Sequence, residues 1–162
     1  MTEEAGDNIG SWLIDNVNKA EGKSAVHFED GRSWSYGDLD RWSDAIAVML
    51  GDQHGVGQGD RVAYLGFNHP AMIALLFACA RLGAILVPLN WRLTPNELAY
   101  IAVDCGPKAL FFGPEYEETA GVVCSAATGC TLCSVDRLEE APIARLSGSK
   151  GSLSDPLLII YT

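Results

Sequence analysis

The chain has 162 residues, of which 48% are hydrophobic and 20% charged, and a formal net charge of −10. That length suffices for one ordinary domain core. The charge disfavours general nucleic-acid binding and docking on anionic lipid, since both are polyanions that repel an acidic surface.

The amino end, MTEEAGDNIG, is acidic and polar, the opposite of a secretory signal. The longest uncharged apolar run, Ala71 to Ala80, is too short to span a bilayer. With neither feature present, the expected compartment is the cytoplasm, and no transmembrane segment is expected. Five cysteines (Cys79, Cys105, Cys124, Cys130 and Cys133) make an odd set in a chain that is not small, so no disulfide framework is expected.

Taken in order, Asn8 to about Glu21 reads as an amphipathic helix with Ile9, Leu13 and Val17 on one stripe. Ala25 to Glu29 and Arg32 to Tyr36 alternate like strands around an Asp30-Gly31 turn, which predicts a β-hairpin. Leu39, Trp42, Ile46, Met49 and Leu50 fall at helical spacing between Tyr36 and Gln53. His54 to Asp60 is a turn, and Arg61 to Leu65 a strand. Asn68 is read as the cap of the next helix, Pro70 as its start and Gly83 as its end. The intervening residues are apolar all round, so this helix is expected to be buried on several sides.

Ala84 to Leu89 is a strand. Thr94-Pro95-Asn96-Glu97 is a capping box whose helix carries Leu98, Ile101 and Ala102 inward and ends near Asp104. Lys108 to Phe112 predicts a strand, Glu115 to about Ala127 a helix, and Thr131 to Val135 a weaker strand. Residues 136–154 have no clear period and read as a solvated connecting segment. After Pro156, the run Leu157-Leu158-Ile159-Ile160 reads as a short buried strand, apolar on both faces, of the kind found inside parallel sheets. Alternating strands and helices predict an α/β fold, a mostly parallel sheet with helices on both faces.

Four stretches in this order and spacing carry a family likeness. They are Trp34-Ser35-Tyr36-Gly37-Asp38-Leu39; Gly55 to Ala63; Leu82 to Thr94, with Asn90-Trp91-Arg92-Leu93-Thr94; and Leu158-Ile159-Ile160-Tyr161-Thr162. Together they resemble the adenylate-forming superfamily, most closely its bacterial fatty acyl-CoA ligase branch. Members run to roughly three times this length, as domain-size priors allow. The resemblance therefore implies that residues 1–162 are an incomplete amino-terminal portion of the large AMP-binding domain, with the small carboxyl-terminal domain absent. It implies an acid–thiol ligase that uses ATP, Mg²⁺ and coenzyme A to activate a carboxylic, expectedly fatty, acid. The family's catalytic lysine and metal-binding acidic groups lie downstream, so the resemblance places no catalytic and no metal-binding residue here. The fragment alone is expected to be inactive.

Each candidate site stands beside a plainer reading. Gly55-Val56-Gly57-Gln58-Gly59 precedes a strand, whereas a dinucleotide fingerprint follows one, so it reads as a turn. Cys130-Thr131-Leu132-Cys133 has no second pair and fits a strand. His69 beside a helix start reads as a surface or capping group. Asn90, Trp91 and Arg92 follow an apolar strand at the edge where α/β proteins bind ligands, and are candidates for a substrate channel; the plainer reading packs Trp91 on a loop and pairs Arg92 with an acid. Thr162 is the candidate nucleotide-phosphate contact, by the family's Ser/Thr/Gly-rich loop. The rival whole-chain reading is a non-catalytic α/β module that pairs with a partner chain through its last strand. Apolar surface left by missing neighbours would make the fragment either self-associate as a homo-oligomer or only marginally stable.

Overall fold

A computed structural model describes residues 9–20, 22–29 and 31–162. Asn8 and Glu21, at the ends of the predicted first helix, and Asp30 of the predicted turn lie outside them. The elements are α1 (Ile9–Ala20), β1 (Ser24–His27), β2 (Ser33–Ser35), α2 (Tyr36–His54), β3 (Arg61–Leu65), α3 (Pro70–Leu82), β4 (Ile85–Leu89), α4 (Pro95–Cys105), β5 (Ala109–Phe112), α5 (Glu117–Ala126), β6 (Thr131–Ser134) and α6 (Asp136–Glu139). A 3₁₀ turn, Pro114–Tyr116, leads into α5. No helix among the described residues is long and apolar enough to cross a membrane.

The capping residues set the helix bounds. Ser35 and Asp38 form a capping box on α2, and Thr94 and Glu97 form the predicted one on α4. Gly83 ends α3 in the left-handed conformation at φ +67°, where a residue without Cβ is favoured. The cap of α3 is His69, not Asn68: its Nδ1 accepts from the Ala71 amide at 3.2 Å. The imidazole nitrogen reaches the orphan amide one residue closer to the helix than the predicted cap would.

Four parallel strands pair in the order β4-β3-β5-β6, and β1 and β2 form a separate antiparallel hairpin. Strand alternation divides the core. Val62, Tyr64, Leu86, Ala109 and Phe111 pack with α1, α2 and α3, while Ala63, Leu65, Val87, Leu110 and Phe112 pack with α4 and α5. The chain steps from β3 out to β4, then back across β3 to β5. Reversing direction under a fixed crossover hand puts α3 and α4 on opposite faces.

One expectation is refined here and another corrected. Residues 136–154 connect the last elements and are mostly exposed, as a solvated connection requires, yet they are pinned to the body at several points. They include the turn of helix α6, with Leu138 fully buried and its carbonyl accepting from Trp42 Nε1 at 2.8 Å. Arg145 reaches Asp40 at 2.8 Å and Asp44 at 3.0 Å. The Arg81 carbonyl, at the end of α3, accepts from the Lys150 amide at 2.8 Å and from the Gly151 amide and Ser149 Oγ at 3.2 Å each. These are contacts distant in sequence, which leave no periodicity to read.

The final run is not a buried strand apolar on both faces. It makes a single parallel bridge, Leu158 to Leu86, at the outer edge of β4. Leu86 donates to the Leu157 carbonyl at 2.8 Å, and Ile159 donates to the Leu86 carbonyl at 3.1 Å. The next donor facing outward from β4 would be residue 88, which is a proline without an N–H, so the ladder stops. Ile159 and Tyr161 are half-buried against the α4 side, whereas Leu158 and Ile160 stay 45% and 65% exposed.

Candidate functional site

All four strands of the main sheet run the same way, so one edge carries every strand's carboxyl end. The connections from β3 and β5 leave in opposite directions, which makes the gap between their ends a topological switch point, the usual ligand crevice of such sheets. Here the backbone closes its floor: a Cβ on Gly66 would lie 3.0 Å from the Tyr64 hydroxyl and 3.2 Å from the Gly113 nitrogen. Tyr64 turns its hydroxyl over this corner and donates to the Phe67 carbonyl at 2.8 Å, and burial pushes its phenol up to about 12.

Above the floor stand three aromatic rings. Phe67 packs edge-on to Trp91 at 4.9 Å and to Tyr116 at 5.4 Å. The guanidinium of Arg92 lies over the Trp91 ring at 4.1 Å. Two of the predicted site residues, Trp91 and Arg92, thus belong to a roof over the switch point. Phe67 and Tyr116 were missed by the sequence reading. The signal available was their position, each within four residues of a strand's carboxyl end.

The other two predicted residues meet elsewhere on the same edge. The parallel register that pairs Leu158 with Leu86 carries Thr162 alongside Asn90, and both line a cleft of about 600 Å³. Its walls are Leu93, Asn96, Glu97, Tyr100 and Ile101 on one side and Tyr161 on the other. Tyr161 donates to Asp104 at 2.5 Å, which fastens the final segment to α4; that bond raises the phenol above its ordinary range. Asn90 also shapes its own turn. Its Oδ1 accepts from the Arg92 amide at 3.1 Å, and its carbonyl accepts from Leu93 at 3.0 Å. This turn aims Trp91 at Phe67 and Leu93 at the cleft.

The cleft lining is mainly apolar and aromatic, with one carboxylate and no cation. It suits an uncharged chain or ring better than a polyphosphate. Among the described residues, no group of three or more His, Cys, Asp or Glu is placed to hold a metal ion.

The remaining candidates resolve into structure. Gly55, at φ +60°, ends α2, and the glycine-rich run turns the chain into β3. The two cysteines of Cys130-Thr131-Leu132-Cys133 lie on opposite faces of the sheet, as an i, i+3 spacing on a strand requires. Cys133 Sγ faces His54 Nε2 at 3.8 Å, and burial, helped by Arg137, depresses the His54 pKa. His69 contacts Glu139 at 3.4 Å beside its capping bond.

The sequence profile of AMP-binding enzymes matches residues 13–162. The chain is 34% identical to an indoleacetate–CoA ligase of Aromatoleum aromaticum, over 95% of this chain and 32% of the relative. It is 36% identical to a feruloyl-CoA synthase of an Amycolatopsis species, over 95% of this chain and 30% of the relative. Among solved structures, a Mycobacterium tuberculosis fatty acyl CoA synthetase superposes with a TM-score of 0.81 at 28% identity, covering 96% of this chain and 32% of that one. The N-terminal domain of M. tuberculosis FACL13 superposes with a TM-score of 0.85 at 26% identity, over 96% of this chain and 42% of that domain. The chain thus spans about a third of the length of the curated relatives it matches. With profile, sequence and fold in agreement along nearly all of its length, the chain belongs to the family of AMP-binding enzymes.

Proposed function

We propose that this chain is part of an ATP-dependent, AMP-forming acid–coenzyme A ligase that activates a carboxylic acid as its adenylate and passes the acyl group to coenzyme A. The observation that carries the proposal is the match to ligases over 95% of the chain. The cleft between Asn90 and Thr162 supports it as one wall of the channel for an acyl or pantetheine chain, and its largely apolar lining suits a fatty acid. Thr162 lines the same cleft, and this reading assigns it the contact to a nucleotide phosphate. On this reading the triphosphate and its Mg²⁺ are held mainly by other parts of the intact enzyme.

The test is exchange of labelled pyrophosphate into ATP by the intact polypeptide that contains this chain. Medium- and long-chain fatty acids, indoleacetate and ferulate are the trial acids. Fatty-acid-dependent exchange followed by acyl-CoA formation is expected, and no exchange from residues 1–162 alone. Exchange with indoleacetate or ferulate but no fatty acid overturns the fatty-acid assignment. No exchange with any carboxylate overturns the ligase reading and favours the non-catalytic module, for which the exposed Leu158 and Ile160 on the edge segment would be the pairing face.

A further inference from the structure

Five cysteines lie in the chain, and two of them face each other across a fold that the sequence spacing conceals. Cys124 sits in the last turn of α5, and Cys130 immediately precedes β6. The loop between them is held by its own backbone: the Ala127 amide donates to the Cys124 carbonyl at 3.2 Å, and the Cys130 amide donates to the Ala127 carbonyl at 3.3 Å. Gly129 completes the reversal at φ +78°. The result places Cys124 Sγ 2.8 Å from Cys130 Sγ, within about 0.8 Å of disulfide bonding distance.

We propose that Cys124 and Cys130 form a reversible disulfide, a modification site at the amino edge of the sheet that takes small-molecule disulfides as its oxidant. Cys130 is half-buried and Cys124 buried, so the reagent meets Cys130 first and Cys124 resolves. The Cys130 thiolate attacks one sulfur of glutathione disulfide, displacing a glutathione thiolate and forming a mixed disulfide. Cys124 sulfur then attacks the Cys130 sulfur and displaces the second glutathione. Two protein thiols are oxidised, one glutathione disulfide is reduced to two thiols, and the cysteine protons pass to the departing glutathiones. Burial, with the neighbouring Cys124, raises the Cys130 thiol, so little thiolate is present near neutrality and the exchange is slow there, speeding up as pH rises. The bridge closes a short loop at the sheet edge opposite the Asn90–Thr162 cleft. It therefore alters the stability of the α5–β6 corner and leaves the cleft in place.

The folded protein, reduced and then exposed to glutathione disulfide without denaturant, tests the proposal. The expected product has lost two hydrogens in mass and two of its five titratable thiols, and dithiothreitol restores it. Peptide mapping should join Cys124 to Cys130, and the oxidised form should melt several degrees higher. Cys130→Ser should abolish the product and Cys133→Ser should not. If Cys130→Ser fails to fold, the mapping on the unaltered protein decides alone. A bridge to Cys105 or Cys133, a lasting glutathione adduct on Cys130, or five thiols still titratable after denaturation would each overturn it.

Discussion

Arg81 Nη2 donates to Asp40 Oδ1 at 2.6 Å in the interior, where the guanidinium of α3 also binds Asp44 of α2. All three side chains are nearly inaccessible to water, and Arg81 Nε has no partner among the described residues. Arg145 completes the group from the solvent side. Removing one member leaves the others charged and desolvated. Arg81→Met is therefore expected to lower stability by about 3–5 kcal/mol in urea unfolding. The triple variant Asp40→Asn, Asp44→Asn, Arg81→Met should recover a large part of that loss.

The same group makes a pH prediction. Burial opposes ionisation of Asp40 more than any other single influence, yet hydrogen bonds from Arg81 and Arg145 together outweigh it and hold the carboxyl below its ordinary range. A carboxyl depressed in the folded state contributes stability that is present above its unfolded pKa of about 3.9 and lost as pH falls through the folded value. Urea midpoints should be level near neutrality and fall below about pH 4. Asp40→Asn should flatten that acid limb.

Gly151 touches the end of α3 so closely that a Cβ would lie 2.0 Å from the Ala80 carbonyl oxygen. The obstacle is backbone and cannot rotate aside. Gly151→Ala should push residues 149–151 off the Arg81 carbonyl and lower stability by about 1–3 kcal/mol, read from the urea midpoint. Ala80→Gly would not relieve it, because the clash is with main chain.

Asn90 carries two hypotheses that substitution can separate. Asn90→Ala removes the acceptor for the Arg92 amide and should cost about 0.5–1.5 kcal/mol, with a change in the fluorescence of Trp91. Asn90→Asp keeps the acceptor and should restore stability. If the aspartate variant of the intact enzyme folds normally but its KM for the acid rises, Asn90 also meets substrate.

Pro88 interrupts the ladder that would otherwise bind the final segment. Pro88→Val would present an N–H toward the Ile159 carbonyl and should add one bond, worth about 0.5–1.5 kcal/mol. Protection of the amide introduced at position 88 from hydrogen exchange is the expected sign. Fast exchange there would mean that something other than the proline limits the pairing.

The elements with local signals were readable in the residues themselves. Thr94 and Glu97 capped α4 as their spacing required, and Gly83 and Gly106 ended helices in the left-handed region. The parallel sheet followed from the apolar runs Val62–Leu65, Ile85–Leu89 and Ala109–Phe112, each buried on both faces apart from Pro88. What escaped was held by distant partners. Nothing near Arg145 announces Asp40, and nothing near Leu138 announces Trp42. The limit on the last segment was written in another strand, at Pro88. For the site, Asn90 and Thr162 came together through register, while Trp91 and Arg92 joined Phe67 and Tyr116, rings whose proximity only the assembled sheet reveals.

The clasp on α3 has a consequence for the newborn chain. Asp40, Asp44 and Arg81 leave the ribosome well before Arg145 and the 149–151 amides do. Until those residues emerge, two carboxylates share one guanidinium and the Arg81 carbonyl lacks its three donors. The α2–α3 pair is therefore under-neutralised in a partly emerged chain, and a nascent chain stalled before residue 145 should be open to protease at the junction that the finished chain seals.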